Sequence, residues 1–154
     1  MMCQRDHQDV ERLEQEAANA IDAVIKTTQH FKKIYENINP SLIYDIEKYH
    51  PLAWTVHQKY REMKVLTAFK RNIERGIGEG LYRENIDPEL LAILHLHQIE
   101  WACNVDIFPP EKFDLLNVHL ALTEHFIRGI VTRQGFEKLE DYINQANHYN
   151  HENE

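Results

Sequence analysis

The chain has 154 residues, 43% of them apolar and 27% charged, and a formal net charge of −8. That balance excludes a disordered tail and fits a single globular domain. The acidic total, with Lys32-Lys33 as the densest cationic pair, argues against nucleic-acid binding by this chain alone, because such binding leans on Lys and Arg contacts to phosphate.

Other classes drop out on local features. The longest uninterrupted apolar run is Leu90 to Leu94, far short of the roughly 20 residues a membrane span needs. The start Met1-Met2-Cys3-Gln4-Arg5-Asp6-His7 turns polar at once and is no signal-peptide core. Cys3 and Cys103 are too few for a disulfide framework or a zinc pattern. A reducing, cytoplasmic location is expected.

Helical periodicity runs through almost the whole chain, and strand-like alternation of useful length is missing. Val10, Leu13, Ala17, Ile21, Val24, Thr28, Phe31 and Tyr35 form one apolar stripe. Polar first turns, and Asn19 as a cap, predict a break near residues 15–19. Asn39-Pro40 reads as a fresh helix start, kept short because Pro51 disfavours helical geometry at His50. Pro51 opens a long helix whose stripe is Leu52, Val56, Tyr60, Met63, Leu66, Phe69, Ile73 and Ile77. Gly76, Gly78 and Gly80 then supply a termination with a left-handed cap.

Asp87-Pro88 repeats the cap-then-proline start. The helix it opens, to about Val105, is apolar on nearly every side. A further helix begins at Pro110 or at Asp114; from Leu115 to Ile127 its only acidic or basic side chain, histidines aside, is Glu124. Thr132 caps a last helix that fades into the polar tail 148–154. Two helices with so little polar surface need cover on most sides. A symmetric dimer that pairs them with their copies in a four-helix bundle provides it. The alternative is that the other helices cover them within one chain. The expected dimer interface is Leu94, His97, Trp101, Leu115, Val118, Leu122, Phe126 and Gly129.

Ten histidines raise the question of a metal. His95 and His97 point to different faces of a helix, and so do His119 and His125. A carboxylate-bridged di-iron bundle needs two Glu-x-x-His units on different helices. Glu47-Lys48-Tyr49-His50 alone matches, and it runs into Pro51. Gly76-Ile77-Gly78-Glu79-Gly80 follows a helix and lacks phosphate-loop spacing. There is no G-x-S-x-G elbow and no supported Cys–His pair. No metal, no cofactor and no catalytic residue are expected. Aromatic groups are more suggestive: Phe31, Tyr35, Trp54, Tyr60, Phe69 and Trp101, with His57 one turn after Trp54, sit on or beside the apolar stripes of separate helices. They are candidate linings of a ligand pocket; the plain alternative is core packing.

Four stretches together resemble the regulatory half of TetR-family transcription factors. They are Asn39 through Pro51, Arg75 through Glu89, Phe108-Pro109-Pro110-Glu111-Lys112-Phe113, and Phe126-Ile127-Arg128-Gly129-Ile130-Val131-Thr132. Each is weak alone; their order makes the resemblance, which covers about residues 10–145. It implies an all-α antiparallel bundle, a small-molecule effector cavity in the helical core, and a homodimer formed through the last long helices. It also implies that operator DNA is reached only through a helix-turn-helix head, for which this chain has no segment before Gln15. On this reading residues 1–18 are the end of the helix joining head to body, and 19–147 are the ligand-binding and dimerisation domain. The rivals are a helical dimeric interaction module without a ligand, and a metal-using helical-bundle enzyme.

Overall fold

The computed structural model describes residues 2–37 and 48–151, with side chains described at 8–34, 36–37 and 48–146. The expected helix start at Asn39-Pro40, the Glu47 carboxylate and the Tyr35 side chain lie outside the described residues. Six helices account for most of the rest, and the fold is all-α: α1 (Met2–Glu16), α2 (Ala20–Asn37), α3 (Pro51–Gly78), α4 (Pro88–Ala102), α5 (Leu115–Ile130) and α6 (Arg133–His151). α1 packs on α2; α4 packs on α3 and α5; α2 also touches α3, α5 and α6.

Capping chemistry explains the boundaries. Between α1 and α2 the helix is interrupted at residues 17–19. There the Asn19 side chain accepts from the Asp22 amide at 2.9 Å, and the Asp22 carboxylate accepts from the Ala18 amide at 2.8 Å. This reciprocal arrangement satisfies donors that a helix start leaves open. Asp87 accepts from the Glu89 and Leu90 amides to open α4. Asp114, not Pro110, opens α5 by accepting from Asn117. Thr132 accepts from the Gly135 amide at 3.0 Å and so caps α6. α4 stops at Ala102, short of the expected Val105, because Cys103 and Asn104 turn back on the carbonyls of Glu100 and Trp101.

The α3–α4 connection is the most constrained part of the chain. Gly80 takes a φ of 72°, which allows its amide to reach the Ile77 carbonyl and the Leu81 amide to reach the Gly76 carbonyl. This is a Schellman closure with glycine at its left-handed position. The Tyr82 amide reaches the same Gly76 carbonyl at 3.0 Å. The Tyr82 ring lies directly on Gly76, is fully buried, and donates its hydroxyl to Asn72 at 3.1 Å. An isolated antiparallel bridge joins Tyr82 to Val131. The Thr132 amide donates to Leu81 and the Arg83 amide to Ile130, each at 2.9 Å. The turn after α3 and the turn after α5 are thus stitched together. Ile21, Ile73, Leu81, Phe126, Ile127, Ile130 and Leu139 gather around that stitch as the core.

Two glycines are dictated by this junction. A β-carbon on Gly76 would overlap the Tyr82 ring, and one on Gly135 would overlap the Leu81 carbonyl. Around Gly78 there is open space. Gly135→Ala is therefore expected to cost about 1–3 kcal/mol, lowering Tm by about 2–4 °C for each of those kcal/mol. Gly78→Ala is expected to be neutral or stabilising by up to about 1 kcal/mol. Thermal melts of the two variants beside wild type check this; equal melting of the two would contradict the junction as described.

Candidate functional site

α4 leaves several of its large apolar side chains on the outside. Its buried positions are Ala92, His95, Ile99 and Ala102, a narrow stripe of two alanines, an isoleucine and an imidazole. Its large apolar side chains stand outside: Leu90 is 63% exposed, Leu94 43% and Trp101 51%. α5, by contrast, buries Val118, His119, Thr123, Phe126, Ile127 and Ile130 and leaves Asn117, Glu124, His125 and Arg128 outside. The expectation of two helices apolar on nearly all sides therefore describes α4 and not α5, whose outer face carries the Glu124–Arg128 ion pair at 2.7 Å.

The expected interface residues divide accordingly. Leu94, His97, Trp101, Leu115 and Gly129 are exposed, and Leu122 is half-buried. Val118 and Phe126 face the chain's own interior. His97 Nδ1 lies 2.7 Å from the Glu100 carboxylate.

The expected pocket residues also part company. Phe69 and Phe31 reach the interior, and there they meet histidines. Phe69 lies 4.5 Å, centroid to centroid, from the His95 ring and tilted to it, and the same ring stacks on Phe126 at 4.1 Å. Phe31 lies 6.3 Å from the His119 ring. Trp54 and His57 stack on each other along α3 with centroids 6.1 Å apart, and Tyr60 and Trp101 are about half exposed. A groove of about 420 Å³ runs between α3 and α4. Its walls are Lys59, Glu62, Met63, Leu66, Ile93, Leu96, His97 and Glu100, which include none of the expected pocket residues.

Polar side chains are also buried or half-buried on α2, α4 and α5, which sequence reasoning did not single out. His95 and Thr123 are buried, and Gln98 and His30 are half-buried. His95 Nδ1, Gln98 Oε1, Thr123 Oγ1 and His30 Nε2 are shielded from solvent, and none makes a hydrogen bond of good geometry with the described residues. Such atoms are few in a native interior, and each leaves a desolvation cost standing. The signal in the sequence was an imidazole at a position of α4 one turn from Ala92 and Ile99, the stripe that the helix buries. Burial pushes the His95 imidazole down to about 4; the neighbouring His119 acts in the same direction and Gln98 opposes it. Burial lowers His119 as well, and Arg61 adds to that shift. Both rings are therefore neutral at pH 7.

Among the described residues, no three His, Cys, Asp or Glu side chains are grouped to hold a metal, and no helix is long and apolar enough to cross a membrane. Comparison with protein-family models, with curated proteins and with solved structures finds no match to this chain.

The neutral histidines make the fold acid-sensitive. Their folded-state values lie below the ordinary imidazole value of 6.5, so the unfolded chain takes up protons first as the pH falls. Stability is present above that value and lost as the pH drops toward 4, by up to about 1.4 kcal/mol per pH unit for each such histidine. Urea midpoints taken between about pH 7.5 and about pH 5 should fall. His95→Leu should flatten that fall; an unchanged slope would show that His95 is not held neutral.

Proposed function

We propose that this chain is the effector-binding and dimerisation domain of a TetR-like transcriptional regulator, working as a homodimer. The observation that carries the reading is the outer face of α4, which presents Leu90, Leu94 and Trp101 to the outside while the helix buries Ala92, His95, Ile99 and Ala102. Large exposed apolar side chains in one stripe mark an interaction surface. A two-fold axis beside α4 would cover the same stripe on both copies. The order of elements supports the same reading: a first helix broken from the body, a long helix closed by a glycine-rich turn, and three helices that follow it. So does the setting of His95, an imidazole packed against Phe69 and Phe126, the mixture of apolar walls and few polar groups that small-molecule sites use.

The mechanism is a shift between two arrangements of the paired subunits, one favoured by the effector and the other by operator DNA. DNA enters only through a helix-turn-helix head outside this chain. With a net charge of −8, the chain alone does not bind duplex DNA. The second reading, a dimeric interaction module with no small ligand, is favoured by one observation: the groove between α3 and α4 is not lined by the aromatic set.

Light scattering at micromolar concentration should give a mass near twice that of the 18.3 kDa chain. Leu94→Arg combined with Trp101→Arg should return it to one chain with the helical circular dichroism retained. A monomeric wild type would sink the proposal. Native mass spectrometry of the purified dimer separates the two readings, since a co-purified small molecule is expected only for the first. A mobility shift with sub-micromolar affinity for duplex DNA at physiological salt would contradict the part assigned to the missing head.

A further inference from the structure

The break between α1 and α2 is held from outside, by Arg75 in the last turn of α3 and by Glu79, the residue that caps it. The Arg75 guanidinium donates from Nη1 to the Glu14 carbonyl at 2.9 Å and from Nη2 to the Ala17 carbonyl at 2.8 Å. Its Nε donates to Glu79 Oε1 at 2.8 Å. The other oxygen of that carboxylate, Glu79 Oε2, accepts from the Ala20 amide at 2.7 Å. Arg75 thus caps the C-terminal end of α1, and Glu79 caps the N-terminal end of α2. Each charge sits where the helix end has the opposite sign. The ion pair between them keeps the two caps in register. Asn72 reinforces the arrangement by donating to the Ala20 carbonyl at 2.9 Å.

The position of the pair matters as much as its chemistry. Arg75 precedes Gly76, whose carbonyl closes the α3–α4 turn, and Glu79 precedes Gly80, the residue with positive φ. Both caps therefore stand on the hinge itself. Asn72, which holds the Ala20 carbonyl, also accepts the Tyr82 hydroxyl from that hinge. Both ends of the break are in this way tied to the turn that closes α3.

We propose that Arg75 and Glu79 are positioning residues: a two-way helix cap through which the α3–α4 hinge sets the direction of α1. That this direction carries a signal toward a DNA-reading head rests on the regulatory reading above; the cap itself does not. The proposal differs from an ordinary ion pair in one testable respect. Exchanging the two charges preserves a salt bridge, but it aims a carboxylate at the Glu14 and Ala17 carbonyls and a guanidinium at the Ala20 amide. A pair that served only its own attraction would survive the exchange, whereas a pair that caps two helix ends would not.

The test measures the position of α1 in the full chain. In a Cys3→Ser, Gln8→Cys background, spin labels on α1 and on the exposed Cys103 after α4 report the distance between them, with labelled chain diluted into unlabelled chain. Wild type should give one narrow distribution. Arg75→Ala, Glu79→Gln and the exchanged pair Arg75→Glu with Glu79→Arg should each lose it for a broad one, and amide exchange in α4 and α5 should stay at the wild-type rate. Recovery of the narrow distribution in the exchanged pair would overturn the proposal, and so would single variants indistinguishable from wild type. Should Arg75→Ala also raise exchange in α4 and α5, Arg75→Lys decides. It keeps the charge but not the fork that reaches two carbonyls and a carboxylate. A broadened distribution with normal core exchange then supports the cap, and a wild-type distribution overturns it. A monomeric mass in the scattering experiment bears on the dimer reading and leaves this outcome untouched.

Discussion

The contact on which the rest of the fold depends is that of the Tyr82 ring with the bare backbone of Gly76. It lets a 28-residue helix end abruptly and the chain fold back on its last turn. The same carbonyl of Gly76 receives two amides, so the turn is fixed by backbone geometry as well as by burial. From there the constraint spreads outward. Tyr82 pairs with Val131, Leu81 receives the Thr132 amide, and Gly135 must stay without a side chain to pass Leu81. The starts of α4 and α6 are in this way referred to one point at the end of α3. On the other side of that point, Arg75 and Glu79 refer the α1–α2 break to it as well.

Much of this architecture was legible because it rests on local chemistry. Asn19, Pro51, Asp87, Asp114 and Thr132 mark helix starts by what their side chains or rings do to the adjacent backbone, and each stands at one in the structure. The glycines at 76, 78 and 80 were legible as a termination. Their unequal roles were not. Gly78 faces open space, Gly80 supplies a backbone angle, and Gly76 makes room for a ring six residues on. That last role is a tertiary contact, and spacing alone carries no trace of it. Arg75 and Glu79 were invisible for a similar reason. At i and i+4 on a helix they read as one more surface pair, and only the distant carbonyls of Glu14 and Ala17 reveal the cap.

The site was less legible than the fold. The aromatic residues were chosen because they lie on apolar stripes, but a stripe says that a side chain is turned inward, not which neighbours it meets. Phe31 and Phe69 went to the histidines, while Trp54 and His57 went to each other. α5 read as apolar all round because Leu and Val outnumber its charges. Its few polar groups, Glu124, His125 and Arg128, proved enough to define an outer face once they were grouped there.

α4 carries two separate costs on its two sides, and this separates it from a helix built only to complete a core. Outside, the Leu90, Leu94 and Trp101 surfaces remain in water, and burying each would contribute about 1.5–3 kcal/mol on apolar area alone. Inside, the unsatisfied His95 and Gln98 atoms each forgo roughly 1–3 kcal/mol. Exchanging these two faces would bring the leucines inward and the polar groups to water, but it would also expose Ile99 and Leu91, which now pack inside. The fold does not make that exchange, although a rotation of the helix by half a turn would achieve it. The stitch at Tyr82 and the Asp87 cap fix where α4 begins, but they do not fix which residues occupy its faces. A partner outside and a polar ligand inside would remove the two costs independently, and α4 is the one element that would feel both.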